Sequence, residues 1–226
     1  MRNVFRAATA IAAKDLAIEL RTRTALVSGL VFAILVLAIL YFARDPTLVS
    51  AADIAPGTLW VTFTFASMVG LNRAFFIERE RRAMDAILLT PVPRVAVFWG
   101  KFLGNLAFVG TIELVSLPLF VLFYNVSVWS RLPLLLGVMA MGTVAFVAVG
   151  TLLSGMVVRT RHAELMLPLL LLPFLVPPVV SAVQLTARVL EGRPLSEFVG
   201  WFKLLAAFDV VFITLSALLF EATLDE

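Results

Sequence analysis

Long apolar runs alternate along this chain with short connections that carry most of the charge. The runs lack the period-two alternation of half-buried strands, and they are too long for ordinary core helices. About 20 helical residues cross a bilayer's hydrocarbon core. Six runs meet that length: Ala25–Phe42, Gly57–Ile77, Val95–Tyr124, Pro133–Val158, Leu165–Thr186 and Trp201–Glu221. The third exceeds what a bilayer requires, so it tilts or extends into the headgroup layer. A transmembrane barrel would show alternating strands of about ten residues, and none appear. The pattern predicts an all-α integral membrane protein with six transmembrane helices, organised as one membrane domain over residues 1–226. Within it, 1–24 form a cytoplasmic amphipathic helix, 25–222 the six-span bundle and 223–226 a short cytoplasmic tail.

The first 24 residues have a different period. Val4, Ile11 and Ile18 recur every seven positions, with Phe5, Ala8 and Ala12 beside them and Arg6, Lys14 and Arg21 opposite. That arrangement suits a helix lying in the headgroup layer. Asp15 and Glu19 intrude on its apolar side, which packing against protein tolerates better than lipid does. The charged region is too long for a secretory signal, and Ala43-Arg44-Asp45-Pro46 is no small-residue cleavage site, so the first span reads as a retained anchor.

Composition sharpens this picture. Of 226 residues, 62% are hydrophobic and 15% charged, against about 45–50% and about 25% in soluble domains. Cysteine is absent and His162 is the single histidine, which leaves too few ligands for a zinc or iron site and no thiol chemistry. The net charge of +3 and basic isoelectric point would suggest nucleic acid in a soluble protein; here they mark one membrane face instead. Thirteen of the 18 basic residues fall on the side of the N-terminus and five on the other, placing both termini in the cytoplasm. Trp60, Trp129 and Trp201 fall near the opposite boundary, where interfacial aromatics belong.

The longest cytoplasmic connection is also the densest in charge, running from Asn72 through Arg73, Glu78, Arg79, Glu80, Arg81, Arg82 and Asp85 to Leu88-Leu89-Thr90-Pro91. Glu78 with Arg82 and Arg81 with Asp85 are i,i+4 pairs, Ala83, Met84, Ile87 and Leu88 give an apolar edge, and Pro91 and Pro93 stop the helix. A short amphipathic helix over about 78–89, held under the membrane by two spans, can pass push and pull from a soluble partner. A solvated loop serving only topology is the plainer reading. Gly100-Lys101 is no phosphate-binding loop, since Val95 stands where the first glycine belongs and Phe102 replaces the Ser or Thr. Nucleotide-driven work therefore belongs to a separate subunit.

Within the spans, Glu113 and Asp209 are ionisable, and Asn105 lies about 80° around the helix from Glu113. Such groups cost at least about 2.5–3.5 kcal/mol when they face lipid, so they face protein or water. They serve a substrate or proton route, or they bond neighbouring helices. Pro118 in the third span and Pro168, Pro173, Pro177 and Pro178 in the fifth each delete a backbone hydrogen bond, so the fifth is expected to be bent or broken. Gly100/Gly104, Ala66/Gly70 and Gly150/Ser154 are small-xxx-small pairs suited to close helix packing, within a chain or between chains.

The order of these elements resembles the membrane subunits of type-2 ABC exporters, and more narrowly the haem exporter protein B family (CcmB) of cytochrome c maturation. The residues carrying the resemblance are Lys14-Asp15-Leu16, Glu19-Leu20-Arg21, Gly70-Leu71-Asn72-Arg73, Glu78, Glu80, Leu88-Leu89-Thr90-Pro91, Gly100-Lys101, Glu113 with Leu117-Pro118-Leu119-Phe120, Glu164-Leu165 through Pro178, Ala207-Phe208-Asp209-Val210 and Leu219-Phe220-Glu221. It spans the chain nearly end to end. The resemblance implies a non-catalytic permease subunit of the bacterial inner membrane that pairs with a second copy of itself. It also implies a cytoplasmic ABC ATPase of the haem exporter protein A type docked on the 78–89 helix and holding the ATP. Further implied partners are a haem-handling membrane subunit, a small single-span subunit and a periplasmic haem carrier, so that haem is handled by the complex rather than bound here as a cofactor. Tyr41, Tyr124 and seven methionines are the remaining candidate iron ligands, and core packing accounts for them equally. A type-2 permease exporting a lipid, drug or glycan is the alternative in the same mechanical class. An ion-coupled secondary transporter using Glu113 and Asp209 is the alternative from another, although it would call for more spans or an internal repeat. A passive assembly scaffold is compatible with the same features.

Overall fold

The computed structural model describes residues 2–80, 92–157 and 163–223. Seven helices account for nearly all of them: α1 (Arg2–Thr22), α2 (Thr24–Ala43), α3 (Ala51–Glu80), α4 (Arg94–Tyr124), α5 (Leu132–Val157), α6 (Ala163–Leu190) and α7 (Val199–Thr223). Short 3-10 turns at Trp129–Arg131 and Leu195–Glu197 lead into α5 and α7. Among the described residues there is no strand.

Five segments are long and apolar enough to cross a membrane: Thr24–Ala43, Arg94–Tyr124, Trp129–Val157, Leu165–Leu190 and Val199–Phe220. This makes the chain a multi-pass helical membrane protein. The second expected span lies in α3, which has the length but not the same apolarity over its described residues. The reason is visible in its packing. Thr58, Thr62, Thr64 and Ser67 of α3 are all buried against protein, so this helix carries hydroxyls where a lipid-facing span would carry aliphatics.

A single residue joins α1 to α2. Arg23 takes the left-handed conformation, with φ 56°, and its N–H donates to the Glu19 carbonyl at 2.6 Å. The Glu19 carboxylate accepts the N–H of Leu26 at 2.9 Å, satisfying one of the orphan donors that open α2. Beyond this elbow, α1 packs chiefly along α4 rather than α2. Gly100 makes the close approach possible. A Cβ there would stand 2.7 Å from the Ile11 Cβ and 3.0 Å from the Ala8 carbonyl oxygen. Gly104 faces Ala12 and Asp15 one turn on. Of the other small pairs, Ala66 lies against Gly29 of α2, and Gly150 lies beside Leu71 of α3. In each case the described contact is to another helix of the same chain.

Apolar side chains gather in two cores stacked along the bundle. One contains Ile11, Ala66, Phe98, Phe102, Ile112, Phe146, Leu171 and Phe220. The other contains Leu37, Trp60, Phe63, Phe120, Tyr124, Leu135, Leu185 and Phe198. Each of α2, α3, α4, α5, α6 and α7 contributes one end to the first and the other end to the second, and Val179 and Phe208 pack on both.

Of the two outcomes expected for the proline-rich fifth span, bent or broken, the break does not occur: Pro168, Pro173, Pro177 and Pro178 all lie inside the helix Ala163–Leu190. Each proline removes one donor, so Pro173, Pro177 and Pro178 leave the carbonyls of Leu169, Pro173 and Phe174 without their helical partner; the Ser181 hydroxyl donates one turn back to the Pro177 carbonyl at 2.8 Å. Pro118 is likewise internal to α4.

Candidate functional site

Polar side chains collect where the two cores meet. The α4 register puts Ile112 in one core and Leu117 in the other, so Glu113 falls at the junction, 4% exposed. Its Oε2 lies 2.6 Å from the Thr143 hydroxyl of α5, which also sits 2.8 Å from the Met139 carbonyl. Two turns earlier on α4, Asn105 donates to the Thr151 hydroxyl at 3.1 Å. Both polar residues expected on this span thus bond α5, and the two bonds hold α4 and α5 in register.

Glu113 borders two spaces. Toward the interior, Trp60, Phe63, Thr64, Ser67, Gly142, Phe146, Leu175, Pro178 and Val179 enclose a cavity with room of about 10 Å³ for a water-sized sphere. Toward the outside, Leu106, Gly110, Leu114, Leu136, Met139, Ala140, Thr143 and Val144 line a groove of about 210 Å³ between α4 and α5. The Ser67 hydroxyl is buried in the cavity wall without a hydrogen-bond partner among the described residues.

Trp60 closes the cavity. Its ring lies so close over Gly142 that a Cβ there would fall 2.2 Å from the indole Cη2, and its Nε1–H donates to the Thr186 hydroxyl at 2.8 Å. Trp60 is 3% exposed, so it is no interfacial anchor as its position in the sequence suggested. Thr186, across the bundle on α6, supplies the acceptor that keeps the indole inside. Trp129 is exposed, as an interfacial aromatic should be.

Asp209 is buried on α7 beside Phe208, the residue that packs on both cores, and its Oδ1 has no hydrogen-bond partner among the described residues. Tyr124 donates its hydroxyl to the Leu37 carbonyl at 3.2 Å and stacks on Phe120, while Tyr41 meets Phe42, Phe123 and Tyr124 edge-on or tilted. Packing accounts for both tyrosines.

At the other end of the bundle, Lys101 of α4 is buried and bonded to Asp15 of α1 at 2.9 Å. The two acidic residues that intrude on the apolar side of α1 therefore each have a use: Asp15 ties α1 to α4, and Glu19 caps α2. Of the residues expected to couple to a partner, Arg73, Glu78, Arg79 and Glu80 fall in the last turns of α3, while Arg82, Asp85 and Leu88 lie outside the described residues, as does His162. Thr143, Ser67, Thr186 and the Lys101 partnership were not singled out from the sequence. The one hint was the run of hydroxyl residues along α3, out of place in a span facing lipid.

A multi-pass helical membrane protein with a buried carboxyl between two stacked cores is the class that fold and site define. The chain belongs to the CcmB protein family, whose profile matches residues 6–226. It is similar to the heme exporter protein B of Rhodobacter capsulatus, 29% identical over 187 residues that cover 81% of this chain and 84% of the relative. It is also similar to the proteins of that name from Bradyrhizobium diazoefficiens and Pseudomonas aeruginosa. These are 26% identical over 96% of this chain and 97% of the relative, and 27% identical over 92% and 91%, respectively.

Proposed function

We propose that this chain is the membrane subunit of an ABC-type complex in cytochrome c biogenesis. In this reading a cytoplasmic ATPase drives it, and its motion serves haem delivery or the release of a haem-loaded periplasmic carrier. Family membership over nearly the whole chain and the name its relatives carry support the haem connection. α3 acts as the sixth span, both termini face the cytoplasm by the distribution of basic residues, and the membrane is the bacterial inner membrane. A second copy of the chain, a haem-handling membrane subunit and a small single-span subunit complete the assembly.

The observation that carries the mechanical part is the fastening of α1 to the base of α4. The charged segment at 78–89 joins the end of α3 to the start of α4 at Arg94. A displacement of that segment by a partner reaches both helices directly. Lys101, Asp15 and the Ile11–Gly100 contact lie just past the start of α4, so α1 moves with it. The chain supplies levers and leaves ATP hydrolysis to the partner.

Charge reversal at Glu78 and Glu80 tests this. The expected result is loss of co-purification with the ATPase, or loss of ATPase turnover stimulated by the complex, in a protein that still inserts. Binding and turnover equal to wild type would sink the coupling role.

A further inference from the structure

The oxygens around Thr143 pose a counting problem. Its hydroxyl has one hydrogen, yet Oγ1 lies 2.6 Å from Glu113 Oε2 and 2.8 Å from the Met139 carbonyl oxygen. A carbonyl and an ionised carboxylate are both acceptors only. If Glu113 were ionised, two acceptors would compete for one hydrogen, and one of two contacts of ordinary O–H···O length would have no hydrogen in it. A proton on the carboxyl removes the conflict: Glu113 donates to Thr143 Oγ1, and Thr143 donates to the Met139 carbonyl one turn back on α5.

The surroundings agree. Among the described residues lining the cavity and the groove, Glu113 is the only ionisable one. Lys101 stands twelve residues down α4, roughly 18 Å at 1.5 Å per residue, and is engaged with Asp15 of α1. From α7 the buried ionisable group is Asp209, another carboxyl and so no counter-charge. The described parts of α3, α5 and α6 that line the two spaces add hydroxyls, aromatics and aliphatics and no cation.

We propose that Glu113 and Thr143 form a proton-binding site at the junction of the two cores, in which Glu113 is a neutral acid clasping α4 to α5. The ligand is the proton itself. The clasp is one wall of the lateral groove, so losing the proton leaves an uncompensated carboxylate between two apolar clusters and loosens the seam between these helices. The site requires nothing of an ATPase or of haem, and it stands or falls independently of the proposed function.

Infrared spectroscopy on the purified full-length chain in lipid nanodiscs, with glutamate carboxyl carbons isotopically labelled, tests the assignment. At neutral pH the wild type is expected to show a neutral glutamic-acid C=O band that shifts with solvent deuteration, is lost completely in E113Q, moves in T143V and stays in place in T143S. Should E113Q fail to fold, the wild-type spectrum and the T143V and T143S pair decide. Wholly ionised glutamates in the wild type, a neutral band surviving in E113Q, or a band unmoved by T143V would each overturn the proposal.

Discussion

Lys101 of α4 and Asp15 of α1 form an ion pair at 2.9 Å in which 4% of the lysine side chain and 25% of the aspartate remain exposed. Lys14 meets the other carboxylate oxygen at 2.7 Å from a far more open position. Removing one partner from a fully buried pair costs about 3–5 kcal/mol, and the partial exposure of Asp15 places this pair below that range. Asp15→Asn should therefore lower the unfolding midpoint clearly, whereas Lys14→Gln, acting on an exposed pair worth about 0–1 kcal/mol, should leave it nearly unchanged. Thermal unfolding of both variants in the same detergent checks this. Equal losses would mean that burial of Lys101 does not set the strength of the contact.

Two helical glycines of α5 should respond in opposite ways. A methyl group on Gly142 would collide with the Trp60 ring, and that indole is held by its bond to Thr186, so Gly142→Ala should cost about 1–3 kcal/mol through overpacking. Gly137 meets nothing within 4 Å of a built Cβ, and Gly137→Ala should be neutral or gain up to about 1 kcal/mol from helix propensity. Denaturant or thermal midpoints of the pair give the sign.

Thr186→Val leaves the Trp60 N–H buried without its acceptor. The expected loss is about 1–3 kcal/mol, the cost of an unsatisfied buried donor. Thr186→Ser should recover most of it. Tryptophan fluorescence in a Trp60-only background reports whether the indole shifts toward a wetter site, as it should in the valine variant alone.

In the turn between α2 and α3, the Asp45 carboxylate accepts the Thr47 hydroxyl at 2.6 Å and the Thr47 N–H at 2.8 Å, the hydroxyl contributing most to holding its pKa below 3.8. A carboxylate depressed in the folded state stabilises the turn above its unfolded pKa and loses that contribution as pH falls through the folded one. The turn should thus be insensitive to pH from neutrality down to about 4 and loosen below it. Thr47→Ala should raise the Asp45 titration toward 3.8, measurable by carboxyl ¹³C NMR; an unmoved titration would refute the role of the hydroxyl.

Apolar run length carries most of the fold, because crossing a membrane constrains every residue of a span. The bounds of α2, α4 and α5 and the helical character of residues 1–24 were therefore readable in order along the chain. Side-chain pairing was not. Thr143 meets Glu113 across 30 residues, Lys101 meets Asp15 across 86 and Trp60 meets Thr186 across 126, and no local period encodes which helix faces which. Trp60 was misplaced for the same reason: a tryptophan near a span boundary has an apolar body and one donor, and only the tertiary partner decides whether that donor faces headgroups or a threonine. Glu113 was visible as an intramembrane carboxyl, while the hydroxyl that specifies its role sits on another helix.

The elbow at Arg23 has a consequence for synthesis. α1 leaves the ribosome before α4, and the surface it docks on, from Gly100 to Gly104 with Lys101 between them, follows some 86 residues later. In the interval α2 and α3 emerge while α1 still lacks the helix it chiefly packs along. The same amphipathic face that ends against α4 gives it a place to wait on the bilayer, joined to α2 through the single left-handed residue at the elbow. α1 is thus seated no earlier than α4, at the end of the bundle where α4 begins.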